Sequence, residues 1–181
     1  MPLPTPVARE RLHDRRVHCA GFRREDGLWD IEGHLVDTKT YGFDNHQRGR
    51  IEPGTPIHEM WLRVTIDDEM QIHAVQAATD HAPYSICPAI LPNFQRLVGL
   101  RIGPGFRRKV SERLGGIEGC THLVELLGPL ATTAFQSMAG QRRARQGADP
   151  ARRPHWLDTC HAHASSSPVV KERFPQHYTG K

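Results

Sequence analysis

The sequence predicts an α+β fold, an antiparallel sheet of about four strands with three or four helices packed on one face. Three observations carry that expectation. Two pairs of alternating segments fill the first half of the chain, an Asp-Gly turn joins the first pair and an acidic turn the second, and helical periods follow.

The first pair begins near Arg15. Val17, Cys19 and Gly21 alternate with His18, Ala20 and Phe22. Past the turn at Glu25-Asp26-Gly27, Trp29, Ile31, Gly33 and Leu35 alternate with Asp30, Glu32 and His34. Asp-Gly at that point is a hairpin signal, because a tight connection needs residues that accept positive φ. In the third strand Met60, Leu62, Val64 and Ile66 face one way, and Trp61, Arg63, Thr65 and Asp67 the other. Asp67-Asp68-Glu69 turns it into a fourth, with Ile72, Ala74, Gln76 and Ala78 on one side and His73, Val75 and Ala77 on the other. A four-stranded antiparallel sheet with one wet face needs helices on the other.

Those helices are expected next. Asn93 is placed to cap a short one carrying Phe94, Leu97 and Val98 and ending at Gly99. Gly103-Pro104-Gly105 opens a second, with Pro104 near its first position, Phe106, Val110 and Leu114 on its apolar face, and Gly115-Gly116 after it. A third starts around Thr121, with Leu123, Leu126, Leu127, Leu130, Ala131, Ala134 and Met138 at helical spacing. Gly128-Pro129 falls inside it. A proline costs about 3 kcal/mol in a helix interior, so a kink, or two helices end to end, is expected there. The long stretch from Thr38 to Ile57 carries Tyr41, Phe43 and His46 among glycines and prolines, and reads as a loop covering an edge or a pocket.

At 181 residues the chain is long enough for one domain with its own core. Four parts are expected: a flexible N-terminus over 1–14, the α+β domain over 15–139, an Arg-rich linker over 140–154, and a tail over 155–181 that could dock on the domain. The net charge is +4, and Arg142, Arg143, Arg145, Arg152 and Arg153 alone exceed it. The compact part is therefore near neutral, which weighs against nucleic acid as a partner. There is no apolar run of membrane-spanning length and no apolar signal region, so no membrane partner and a cytoplasmic location are expected. The four cysteines should then be reduced, and open to ligand or nucleophile roles.

Cys120 and His122 follow a glycine run at the start of the best amphipathic helix. A thiol at a helix N-terminus meets free N–H groups and the positive end of the helix dipole, both of which favour the thiolate. A metal site is expected from Cys87, Cys120, His122 and a fourth group, His58 or His81, since thiolates and neutral imidazoles suit zinc or an iron–sulfur cluster. Residues i and i+2 of a helix diverge by roughly 200°, so Cys120 and His122 converge only if Cys120 lies before the helix. The rival chemistry is a thiol nucleophile at Cys120 or Cys87 with a histidine base. Asp37, Lys39 and Tyr41 mark a strand-to-loop transition that is either reactive or simply solvated. Cys160-His161-Ala162-His163 reads as exposed tail.

Arg23 to Glu32, Leu35 to Lys39, Gly119 to Leu123 and Leu157 to His161 together resemble a bacterial family of single-domain proteins of unknown function, over nearly the whole chain. Residues 58–138 are also similar, more distantly, to iron–sulfur cluster scaffold proteins of the IscU/NifU type. Met60 to Asp68 resembles their central strand, Cys87 the cysteine after the last strand and Cys120 the cysteine at the start of the long helix. His58 falls where they carry an aspartate beside the cluster. That likeness implies the scaffold fold and a Cys/His site. The chain departs from it near Thr55-Pro56, which lacks the scaffolds' first cysteine, and at Leu114 to Glu118, which lacks their chaperone motif. The resulting expectation is a metal- or iron–sulfur-binding accessory protein with His58, Cys87, Cys120 and His122 as ligands, serving a protein partner or a small molecule. The alternatives are a small-molecule enzyme on the same scaffold and a metal-free structural or partner-binding module.

Overall fold

A computed structural model describes residues 3–141, 153–154 and 156–180. Its contacts divide the chain into two compact units, Met1–Ala139 and Gly140–Lys181. The first holds an antiparallel sheet of β1 (His13–Arg23), β2 (Trp29–Lys39), β5 (His58–Ile66) and β6 (Ile72–His81), in the order β1-β2-β5-β6. A 3-10 helix (Cys87–Leu97), α1 (Phe106–Leu114) and α2 (Thr121–Ser137) cover one face, so the predicted α+β class and antiparallel sheet are observed. Among the described residues no helix is long and apolar enough to cross a membrane.

The alternation of β2 is complete. Trp29, Ile31, Gly33 and Leu35 are buried, as is Asp37, while the residues between them are half-exposed. The glycine at Gly33 lets α2 approach closely: a Cβ there would stand 3.3 Å from the Leu130 side chain. Leu123, Leu126, Leu127, Leu130 and Ala134 bury the inner face of α2 against the sheet, which stabilises the pair through apolar area removed from water. The helix runs on through Pro129 as one element, so of the two outcomes expected there, a kink or two helices end to end, the second does not occur.

Three other expectations are corrected. The face assignment of β6 fails after its first residue, because Ile66 pairs with Ile72 and Thr65 with Ala74, leaving His73 unopposed. This bulge shifts the phase, so that Ile72 and Val75 are both buried and Ala74 and Gln76 are exposed. Asn93 does not begin a helix. The turn winds as a 3-10 helix from Cys87, with Pro88 and Pro92 lacking the donors of a regular α-helix, and the Asn93 amide donates instead to the Glu118 carbonyl at 3.1 Å. The 38–57 loop contains a small hairpin, β3 (Phe43–Asn45) with β4 (Gly49–Ile51), and the Asn45 side chain accepts the backbone N–H of Gln47 and Arg48 in its turn.

The second unit is not a featureless tail. Two short 3-10 turns (His161–His163 and Pro175–His177) flank α3 (Pro168–Arg173), which Ser167 caps by accepting from Val170 N at 3.2 Å. Leu157 and Val170 are buried, and Trp156 packs against His163 and Phe174 with centroids 4.6 Å apart in both pairs. Of the Arg-rich stretch, Arg142, Arg143, Arg145 and Arg152 lie outside the described residues.

Candidate metal centre

The registers of β1, β2 and β5 place Arg15, Asp37 and His58 side by side across the sheet. Asp37 continues the inward series of β2, and His58 that of β5, so both point beneath the helices. The first turn of α2 closes over this row. Cys120 is its N-cap in extended conformation (φ −108°, ψ 125°), which is the placement before the helix that convergence with His122 requires. His122 and Glu125, three residues apart, then face the row from above.

Asp37 is 1% exposed and is the hub. Arg15 grips it with two bonds, Nε to Oδ1 at 2.7 Å and Nη2 to Oδ2 at 2.8 Å, and its remaining Nη1 donates to Glu125 Oε2 at 2.6 Å. His13 Nε2 approaches Oδ1 at 3.2 Å. On the other side, His58 Nδ1 and His122 Nε2 lie 3.2 Å and 3.6 Å from Oδ2. The two imidazoles stack, with ring centroids 3.7 Å apart and planes 30° apart. One ligand atom from each of Asp37, His58 and His122 lies within 4.8 Å of the others. His58 Nδ1 is close to Asp37 but off the line of a hydrogen bond, so this buried nitrogen has no hydrogen-bond partner.

Burial pushes the pKa of both His58 and His122 below the ordinary value, helped by each ring's cationic neighbours: His122 and Arg15 for His58, Arg15 for His122. Both rings are therefore biased to the neutral form, which is the form that coordinates metals. Burial acts to raise Asp37, but the Arg15 hydrogen bonds and charge outweigh it and hold the carboxyl below its usual range. The site thus offers two neutral imidazoles and one fixed carboxylate.

Of the expected ligands, the structure brings His58 and His122 together and sets Cys120 beside them, with Sγ 4.0 Å from His122 Nδ1. Cys87 is half-buried at the start of the 3-10 helix and joins no group of three such ligands among the described residues. His81, weighed as a fourth ligand, lies on the opposite face of the sheet, 2.9 Å from Glu59. Lys39 pairs with Tyr41, Nζ to hydroxyl 2.7 Å, and takes no part in the centre. Cys160 is exposed in the second unit, its Sγ 3.4 Å from His163 Nδ1. Asp37 is the candidate ligand that the sequence left among solvated strand ends. The signal for it was present: an acid at the fifth inward position of an otherwise apolar series.

The sequence pattern of DUF2889, a protein family of unknown function, matches residues 13–136, which are nearly all of the first unit. The chain belongs to that family, which bears out the expected membership of a family of unknown function, although the match ends before the Leu157 to His161 segment. No curated protein and no solved structure matches it, so the IscU/NifU likeness gains no support from relatives of known fold.

Proposed function

We propose that this member of the family binds a divalent metal, zinc by its donor set, through His58, His122 and Asp37. One observation carries the reading: three ligand atoms from three separate elements, one each from Asp37, His58 and His122, converge within 4.8 Å. Two nitrogens and an oxygen are the ligand types of open zinc sites, and they leave a fourth position free. Two histidines and a carboxylate also suit non-haem iron. Zinc fits this set better than an iron–sulfur cluster, whose thiolate ligands would have to include Cys87. The open position can take water or a small-molecule substrate, as in an enzyme, or a donor group from a partner, as in an accessory protein.

Arg15 is the feature that tests the fit. A carboxylate has about four lone-pair sites, so Asp37 can hold the guanidinium and a metal together. The positive charge of Arg15 opposes the metal, and Glu125, at 2.6 Å from Arg15, offsets it. Arg15 then fixes the direction of the ligand, as outer partners of metal ligands do.

Metal analysis of tag-free protein, with zinc titration calorimetry, tests this. One zinc per chain is expected, lost in His58→Ala and in His122→Ala. A wild-type chain that takes up no divalent metal overturns the proposal.

A second reading is favoured by one specific alignment. Cys120 Sγ, His122 and Asp37 form a thiol–imidazole–carboxylate line, with gaps of 4.0 Å and 3.6 Å. Thiol at a helix N-cap, base, and orienting carboxylate are the parts of a nucleophilic site. Here Cys120 in the metal-free protein reacts with iodoacetamide faster than Cys19 or Cys87, and His122→Ala slows it. Equal rates at all three overturn this reading.

A further inference from the structure

His122 has two ring nitrogens with different neighbours. Nε2 faces Asp37, and Nδ1 faces sulfur. Cys120 Sγ lies 4.0 Å from that Nδ1 and 3.9 Å from Sδ of Met60. Met60 is the next inward residue after His58 on β5 and is 2% exposed. Leu62, Val64 and Ile66 fill the following inward positions with hydrocarbon alone. Cys120 is half-buried, and no side chain caps the N–H groups of the helix turn it opens.

We infer that Cys120, Met60 and His122 Nδ1 form a site for a soft monovalent cation, copper(I). The inference shares His122 with the proposed divalent centre and rests on neither Asp37 nor His58. Geometry supports it first. With metal–sulfur bonds of about 2.3 Å, a trigonal centre holds two sulfurs about 4 Å apart and a sulfur and an imidazole nitrogen about 3.8 Å apart. The two spacings from Cys120 Sγ, 3.9 Å to Met60 Sδ and 4.0 Å to His122 Nδ1, lie close to those values.

Ligand chemistry supports it next. An uncharged, polarisable thioether binds soft ions well and hard ones poorly, and thiolate with thioether is a soft set. Charge selects the oxidation state. A thiolate and a monovalent cation make a neutral unit that costs little to hold against the apolar core, whereas a dication leaves net positive charge there. Binding involves no redox step: the Cys120 thiol proton passes to buffer as the copper–sulfur bond forms, and Met60 and His122 donate lone pairs.

The test is anaerobic titration of the reduced, metal-free chain with copper(I) against a colorimetric copper(I) chelator, alongside zinc titration and thermal melting. One equivalent of copper(I) is expected. Met60→Leu keeps the volume and apolar character of the position, so the protein should melt as wild type. Its copper(I) affinity should fall at least about tenfold, the lower end of what even an outer partner of a ligand contributes, while zinc binding is unchanged. Cys120→Ser should lose the copper(I) site, and His58→Ala should lose zinc and keep copper(I). Copper(I) binding with this pattern but no zinc uptake sinks the divalent centre and supports the sulfur site. Failure to capture copper(I), wild-type affinity in Met60→Leu, or loss of the site in Cys160→Ser in place of Cys120→Ser overturns the inference.

Discussion

Two carboxylates hold histidines on opposite faces of the same sheet, and only one of them builds a buried centre. Asp37 lies opposite His58 in the β2–β5 ladder, and Glu59 follows His58 directly, so the two acids are neighbours in space that point apart. Glu59 bridges His34 at 3.2 Å and His81 at 2.9 Å, with Trp61 stacked on His34 at 3.5 Å between centroids. Its side chain is 23% exposed, whereas that of Asp37 is 2% exposed. The parts are alike, and the helix α2 makes the difference. Where it covers the sheet, the carboxylate is shut off from water and depends on Arg15, and the imidazoles are biased to the neutral form. Where the sheet is open, water can solvate each charge separately, and the ion pairs are worth little.

The largest expected break in this comparison comes from Arg15→Ala. It leaves Asp37 buried and charged without its bidentate partner, and should destabilise the fold by about 3 kcal/mol, the low end for a broken buried pair because Arg15 itself is partly exposed. Urea denaturation measures this. A loss no larger than that of an outer-face substitution would erase the distinction between the two clusters.

Next in size is Gly33→Val. The added side chain meets Leu130, and overpacking of this kind costs about 1–3 kcal/mol. Because α2 must lift from β2, metal affinity should fall with stability, whereas an equally destabilising change in the outer hairpin β3–β4 should leave affinity intact.

A pH series sharpens the comparison further. His58 and His122 have folded-state pKa values below the ordinary 6.5, so the unfolded chain takes up protons first. Their contribution is complete above pH 6.5 and is lost as pH falls toward their folded values. Asp37 acts in a separate window, below the ordinary carboxyl value of 3.8. The melting temperature of metal-free protein should therefore fall as the pH drops below about 6.5, and the fall should be shallower in His122→Gln. An unchanged slope in that variant would place the titration elsewhere.

The smallest effect is expected from Glu59→Gln on the open face. It should cost less than about 1 kcal/mol by urea denaturation and leave zinc uptake unaltered.

The four long strands, the alternation of β2 and β5 and the amphipathic face of α2 were legible in the sequence. These follow from local spacing, because side chains on a strand or a helix repeat with a fixed period whatever packs against them. The sequence also determined that Cys120 must precede the helix to meet His122, a constraint of helix geometry alone. Asp37 was legible as the last inward position of β2, though an acid there reads equally as a strand end until its neighbours are known. Those neighbours are set by tertiary packing. Arg15, Met60 and His58 reach the centre through the β1–β2 and β2–β5 registers, and the periodicity of one strand does not say which residue of its neighbour stands opposite. That Cys87 joins no such cluster among the described residues, and that burial biases two imidazoles to the neutral form over a paired carboxylate, likewise follow from how α2 and the 3-10 helix settle on the sheet. Spacing along the chain carries no information about that packing.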